Sequence, residues 1–162
     1  MTANKSAPDI ITLKIVSDPQ NVSLLGEAIS ALCLYATKNE KCAQDIQLAV
    51  IEALNNVILH AYKNQVGNDI IVQWRQTTGC LSVEITDFGA SMKSIPPGSF
   101  PEFEAENGRG WWIINACVDE YYYKVVEFIE RERVCKSSSK DEDFDVISVT
   151  SSKNTLTLIK HF

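Results

Sequence analysis

Three polar side chains recur at four-residue intervals in a largely apolar stretch that runs from Asp45 to Lys63. On an α-helix Glu52, Asn56 and His60 would each lie about 40° further round than the one before, in one stripe. A carboxylate can take a proton, and an amide oxygen can bind a hard cation. Polar groups on a largely buried helix need partners, which either a bound ligand or the neighbouring backbone can provide. The stripe alone leaves both interpretations open.

A second candidate group is Asp87-Phe88-Gly89, which lies where a predicted strand ends. A carboxylate in this place can accept a hydrogen bond from an exocyclic amine, and glycine lets the backbone approach a flat ring closely. The Asp-x-Gly sequence is also common in ordinary turns, so a turn is the more frequent explanation when the motif stands alone.

A third candidate group is Gly108-Arg109-Gly110, which leads into a predicted helix. Free N–H groups and the positive end of the helix dipole make such a helix start an anion site. The guanidinium of Arg109 is suited to phosphate oxygens. A simple glycine loop with a solvated arginine is the alternative, and it is favoured if the motif stands alone.

The helix that carries the first group is predicted from a core face at three- and four-residue spacing and from the absence of Gly and Pro. Asp45 is placed near its start, where the helix dipole favours a negative charge. The pattern predicts a strand at 10–16 and, from Asp18-Pro19 onward, a helix at 20–37 before it. After it come strands at 69–76 and 80–86, a helix at 110–118 and a strand at 121–129.

Two longer segments carry no sustained periodicity. Residues 88–109 contain repeated Gly and Pro, and a loop of this length in a small domain is usually functional, here a lid. Residues 130–152 are predicted as an exposed, charged, serine-rich insertion that includes a short strand at 146–149. A final strand is predicted at 155–162. The order of elements predicts an α/β (α+β) two-layer sandwich, with a mixed, mainly antiparallel sheet and helices on one face.

The bulk composition limits the class of protein. The 162 residues fit one domain, 1–162, and the net charge of −6 argues against a nucleic-acid partner and for a neutral or basic protein partner. No apolar run is long enough to span a bilayer, and no signal peptide is recognisable. The five cysteines are odd in number and lack a Cys-x-x-Cys pair, which favours reduced thiols in the cytoplasm.

The three groups are weak one by one, but their order is specific. It resembles the Bergerat-type ATP-binding fold shared by DNA gyrase, Hsp90, histidine kinases and MutL. Within that superfamily the chain is most similar to the bacterial anti-sigma factor serine/threonine kinases of the RsbW and SpoIIAB type. The matching stretches are Glu52–Lys63, Asp87–Gly89, Gly108–Ile114, Val118–Glu120 and Thr155–Lys160.

The resemblance implies a role for each candidate residue. Glu52 would be the general base for a protein serine hydroxyl, and Asn56 would hold Mg²⁺ at the ATP. Asp87 would recognise the adenine amino group with Gly89 beside it. His60 would have a supporting place, and Tyr62 would pack.

By the same resemblance, the residues Gly108-Arg109-Gly110 would bind the phosphates. Gly108 and Gly110 would cradle them, and Arg109 would grip the γ-phosphate or the incoming substrate. Three positions depart from the family pattern. Ser91 stands at a small turn position, Trp111 replaces a leucine, and Asn154 replaces the glycine before the final-strand threonine.

Two functions remain open. The first is an ATP-dependent protein serine kinase that phosphorylates a STAS-type anti-anti-sigma factor and sequesters a sigma factor, with a homodimer implied through the first strand and helix. The second is a partner-switch module that holds nucleotide without turnover. A sensor histidine kinase is disfavoured because neither His60 nor His161 lies on the first helix, and a gyrase- or Hsp90-type ATPase would need a further domain.

Overall fold

The computed structural model describes residues 9–96, 109–135 and 144–162. These residues form a five-stranded sheet in the order β1-β2-β3-β5-β4, with helices on one face. The strands are β1 Asp9–Val16, β2 Asp69–Thr77, β3 Cys80–Asp87, β4 Glu120–Cys135 and β5 Phe144–His161. The helices are α1 Pro19–Thr37, α2 Glu40–Asn56 and α3 Arg109–Cys117.

The predicted two-layer sandwich is confirmed. Every pairing between the described strands is antiparallel, so the sheet contains none of the parallel pairing that the expected mixed sheet would have. Inward-facing residues of β2, β3 and β5 pack against one side of α2 in a common core. The core positions of these elements are Ile70, Val72, Trp74, Leu81, Val83, Ile85, Leu156 and Leu158 on the strands and Ile46, Val50, Ala53 and Leu54 on the helix.

Side-chain caps explain where the two long helices begin. Asp18 caps α1 by accepting a hydrogen bond from the Gln20 amide at 2.9 Å, as the Asp-Pro sequence predicts. Asn39 caps α2 by accepting from the Cys42 amide at 3.1 Å. The expected helix start near Asp45 is therefore wrong by five residues, because the cap lies further upstream.

Asp45 has a different part in the fold. Its carboxylate contacts the Lys41 side chain one turn earlier and lies 3.6 Å from Lys160 Nζ on β5. The second contact joins α2 to the sheet. The partly buried carboxylate thus stabilises the packing of α2 on β5, and it does not act as a charge at the positive end of the helix dipole.

A close helix contact fixes α1 against α2. A Cβ added to the buried Gly26 would lie 2.8 Å from Ile51 Cγ1, nearer than side chains tolerate. The missing side chain lets α2 approach α1, and this packing sets the position of the helix that carries Glu52 and Asn56.

The end of α2 departs from α-helical geometry. Residues Val57–Ala61 form a π-helical turn, which occurs frequently at functional sites. Tyr62 follows it, and its buried hydroxyl donates to the Asp69 carbonyl and accepts from the Phe88 amide at 2.9 Å. Tyr62 therefore does more than pack, since it ties the helix end to β2 and to the loop after β3.

The last two strands are longer than the sequence indicated. Pairing between β4 and β5 continues from Glu120–Ile159 to Cys135–Phe144, so 130–135 and 144–152 are strand and not an irregular insertion. The separate strands expected at 146–149 and 155–162 are one continuous strand. Residues 136–143, and residues 97–108 of the expected lid, lie outside the described part of the chain.

Cys33, Cys42, Cys80 and Cys117 carry free thiols, and burial raises the pKa of the Cys33 thiol to about 12. Across the ranges that the structure describes, no helix combines the length and apolar character needed to cross a membrane.

Candidate functional site

A cavity of about 470 Å³ opens between the end of α2, the loop after β3 and the start of α3. Four of the residues predicted from the sequence line it, which are Asn56, His60, Asp87 and Gly110. The other lining residues are Ala53, Val57, Ala61, Ala90, Ser91, Met92, Lys93, Ser94, Pro96, Trp111, Tyr123 and Leu156. We call the part around Asp87 the strand end of the cavity and the part around Asn56 and Gly110 the helix end.

At the strand end, Asp87 is the last residue of β3 and is only 5% exposed. Its Oδ1 accepts a hydrogen bond from the Gly89 amide at 2.9 Å and another from Asn154 Nδ2 at 2.8 Å. Burial raises the pKa of the Asp87 carboxyl above its ordinary value, and the hydrogen bonds from Asn154 and Gly89 offset part of this rise. Two donors on Oδ1 suit an ionised carboxylate and leave Oδ2 for a donor on a ligand.

Gly89 is required by close backbone packing. A Cβ at this position would lie 2.5 Å from the Ala61 carbonyl oxygen, and that oxygen also accepts from the Ala90 amide at 2.9 Å. The loop after β3 is thus fastened directly to the π-helical turn. This contact brings the strand end and α2 to opposite walls of one cavity.

At the helix end, Glu52 and Asn56 meet the start of α3. A Cβ on Gly110 would lie 3.0 Å from Glu52 Oε2 and 3.4 Å from Asn56 Oδ1, so the missing side chain lets both approach the helix. Asn56 Nδ2 is buried and has no hydrogen-bond partner among the described residues. Such a group is costly to leave unpaired, and a ligand oxygen would satisfy it.

The structure separates the members of the predicted stripe. Asn56 and the exposed His60 line the cavity, whereas Glu52 is half-buried beside Gly110 and does not. Arg109 is the first residue of α3, is exposed, and lies outside the cavity wall. Gly108 lies outside the described residues.

Sequence reasoning missed several polar groups of the cavity. Lys93 brings a cation to the wall, and the Tyr123 hydroxyl accepts a hydrogen bond from the Met92 amide at 3.0 Å. Ser91 and Asn154 stood out only as departures from a family pattern. Asn154 shares the inward parity of Leu156 and Leu158, and a polar residue in the apolar register of a strand was the signal that could have found it.

The sandwich, with a half-open cavity between its long central helix and a strand end, has the architecture of an ATP-binding domain. Residues 15–129 match the histidine kinase-like ATPase domain, a span that reaches from β1 into β4. The chain therefore belongs to the histidine kinase-like ATPase domain family. Of the residues that line the cavity, Leu156 falls outside the matched span.

Curated relatives agree with the resemblance that the motifs predicted. A serine-protein kinase RsbW of Listeria innocua serovar 6a is 28% identical over 133 residues, which cover 75% of this chain and 85% of that protein. An anti-sigma F factor of Clostridium botulinum strain Eklund 17B is 26% identical over 114 residues, or 67% of this chain and 80% of that one. The anti-sigma F factor of Caldanaerobacter subterraneus subsp. tengcongensis is 26% identical over 117 residues, or 69% and 81%.

Proposed function

We propose that this protein is an ATP-dependent protein serine kinase that phosphorylates a STAS-type anti-anti-sigma factor and otherwise sequesters a sigma factor. The observation that carries the proposal is the convergence of Glu52 and Asn56 on Gly110, at the end of the cavity opposite Asp87. A carboxylate base near a helix start is the arrangement that transfer of a phosphoryl group to a hydroxyl needs. The names of the relatives, serine-protein kinase RsbW and anti-sigma F factor, support the same reaction and partners.

ATP is the phosphoryl donor in this proposal, and its base enters the strand end. The Asp87 carboxylate accepts a hydrogen bond from the adenine 6-amino group, and Gly89 lies beside it, where its close contact with the Ala61 carbonyl holds the loop. The phosphates extend toward the helix end. There the amides at the start of α3, with Gly108 and Gly110, bind them, and Arg109 reaches the γ-phosphate or the incoming partner.

The transfer step falls to Glu52. Its carboxylate takes the proton of the partner's serine hydroxyl while the serine oxygen forms a bond to the γ-phosphorus, and the bond from that phosphorus to the β,γ-bridging oxygen breaks. The products are a phosphoserine and ADP. Mg²⁺ would be held by the Asn56 side-chain oxygen together with phosphate oxygens, where it neutralises charge on the phosphates.

A homodimer through β1 and α1 is part of the proposal. β1 is the terminal strand of the described sheet, with Ile10, Ile11 and Val16 exposed, and an exposed apolar edge strand is a template for pairing. On α1, Leu24 and Tyr35 are also exposed. Light scattering should give twice the chain mass of 18.1 kDa, and a monomer mass at all concentrations would contradict this part.

The experiment for the kinase is phosphate transfer from labelled ATP to a STAS-type partner. Glu52→Gln should lower the rate about 100- to 10,000-fold, because it removes the base. ATP binding measured by calorimetry should persist. Glu27→Gln is the matched control, since this residue lies on α1 and its carboxylate faces Gln47 at 3.0 Å. Equal transfer by the wild type and Glu52→Gln would overturn the role of Glu52.

The second candidate is a nucleotide-holding module that switches partners without turnover. Two observations favour it. Glu52 does not line the cavity, whereas the buried Trp111 lines it and packs with its ring centroid 5.7 Å from that of Tyr121. Tight ATP binding by the wild type, with no phosphorylated partner at any Mg²⁺ concentration, would support this candidate over the kinase.

A further inference from the structure

A chain of hydrogen bonds reaches Asp87 from a strand outside the family match. Asn154 on β5 is fully buried and lies directly opposite Asp87 in the β3–β5 register. Its Nδ2 donates to Asp87 Oδ1 at 2.8 Å and to the Gly89 carbonyl at 3.0 Å. The Ser91 hydroxyl donates to Asn154 Oδ1 at 2.7 Å.

The direction of these bonds is set by chemistry. The amide of Asn154 has a donor end and an acceptor end, and each must be satisfied in a buried place. The Gly89 carbonyl can only accept, so the Asn154 nitrogen must face it and Asp87, and the Asn154 oxygen then accepts from the Ser91 hydroxyl. The side chain at 154 therefore presents only donors to the carboxylate.

The hydrogen bonds that Asp87 accepts favour the ionised form of its carboxyl group. Oδ1 already accepts from the Gly89 amide and from Asn154, so its neighbours favour the ionised carboxylate at that oxygen. Oδ2 is left to face a ligand as an acceptor alone. A buried acceptor pairs with a purine ring that carries an amino group at this position and repels a ring that carries an oxygen there.

We propose that Asn154 and Ser91 are positioning residues that hold Asp87 as an acceptor and thereby make the cavity select a 6-aminopurine over a 6-oxopurine nucleotide. This inference rests on the nucleotide site of the proposed function, and it adds Asn154, which contacts the Asp87 carboxylate, and Ser91, which acts through Asn154. A buried asparagine at 154 needs a donor for its oxygen, and Ser91 is that donor.

The test compares the dissociation constants of ATP and inosine triphosphate, measured by calorimetry on the purified full chain. Wild type should prefer ATP. Asn154→Ala should weaken the affinity for ATP about tenfold and leave the affinity for inosine triphosphate nearly unchanged. The substitution removes a hydrogen bond to the ionised Asp87 carboxylate, and only ATP binding depends on that ionised form. Ser91→Ala should give a smaller change of about threefold in the same direction.

Ser152→Ala is the matched control. The Ser152 hydroxyl donates to the same Gly89 carbonyl at 3.0 Å but makes no bond to Asp87. Its removal should leave the ratio of the two dissociation constants unchanged. A shift equal to that of Asn154→Ala would mean that support of the loop, and not orientation of Asp87, sets the preference, and would overturn the inference.

The double variant Ser91→Ala/Asn154→Ala separates a relay from two independent effects. If Ser91 acts through Asn154, adding Ser91→Ala to Asn154→Ala should change the ratio no further. Additive changes would contradict the relay. Should Asn154→Ala fail to fold, the Ser91→Ala ratio decides alone, and a ratio equal to wild type overturns the inference.

Failure of the inference and failure of the proposed function give different results. If wild type binds ATP and the variants keep its preference, only the role of Asn154 and Ser91 falls. If wild type binds neither nucleotide, the nucleotide site of the proposed function falls with it.

Discussion

At the strand end of the cavity Asp87 already has two hydrogen-bond donors, and Asn154 behind it has a partner at each end of its amide. At the helix end the Asn56 nitrogen is buried and unpaired among the described residues, and Arg109 is exposed. One end is thus formed before a ligand arrives, whereas the other gains partners only with one. In the proposed function, recognition of the base falls to the first end and binding of the phosphates to the second.

Substitutions of Gly89 and Gly110 test this comparison most directly, because the same added methyl group meets different neighbours at the two positions. In Gly110→Ala the new Cβ meets the Glu52 and Asn56 side chains, which can move aside. The free energy of unfolding should stay the same or rise by up to about 1 kcal/mol, since alanine favours the helix. Phosphate transfer should fall about 10- to 100-fold because Glu52 is displaced.

In Gly89→Ala the new Cβ meets the Ala61 backbone carbonyl at 2.5 Å, which cannot move without the π-helical turn. The free energy of unfolding should fall by about 1–3 kcal/mol, and ATP affinity should fall with it. Thermal denaturation and calorimetry measure both quantities. A loss of stability in Gly110→Ala with none in Gly89→Ala would reverse the comparison.

The second prediction concerns pH at the strand end. In the proposed function, ATP binding needs the ionised Asp87 carboxylate. Burial raises the pKa of this carboxyl, so ATP affinity should fall as the pH drops through the raised pKa, above the range where an exposed aspartate titrates. The stability of the free protein responds in the opposite sense. A raised folded-state pKa contributes stability that is fully present below the ordinary pKa and is lost as pH rises through the raised one.

Calorimetry of ATP binding across the acidic range measures the first effect, and Asp87→Asn is its control. The Asp87 carboxylate acts electrostatically on Tyr62 and Tyr123, and burial raises the pKa of both tyrosines above their ordinary values. They therefore stay neutral throughout this range. An identical pH dependence in wild type and Asp87→Asn would contradict the assignment.

The smallest expected effect belongs to the support of the strand end. Tyr62→Phe removes the hydroxyl that bonds the Asp69 carbonyl and the Phe88 amide. The free energy of unfolding should fall by about 1 kcal/mol, as for the loss of an ordinary hydrogen bond. Denaturant unfolding checks this value. Tyr35→Phe, at an exposed position of α1, should change nothing measurable.

What the sequence allowed to be predicted was set by local physics. Periodicity and caps located α1, the core face of α2 and the hairpin of β2 and β3, and strand alternation placed Asp87 at a strand end. The π-helical turn was not predictable, because its geometry depends on contacts with the loop after β3. The start of α2 was missed because Asn39 and Asp45 are both acceptable near a helix start.

The errors around the last strand have a similar cause. Residues 130–135 and 150–152 are mostly polar or charged, and their strand pairing is specified by the partner strand and not by an apolar face. The bond between Asn154 and Asp87 depends on a register between strands that lie 67 positions apart in sequence. Composition and spacing carry no information about such a register.

Because β3 is shorter than β5, the two halves of β5 differ in how many neighbouring strands they pair with. From Asn154 to Ile159, β5 has β3 on one side and β4 on the other, whereas from Phe144 to Lys153 it pairs with β4 alone among the described strands. A two-stranded ribbon is only marginally stable in water. Amide hydrogen exchange should therefore change from slow to fast along β5, with the boundary at Asn154. Local opening of the two-stranded β4–β5 segment should therefore stop at Asn154, next to the cavity.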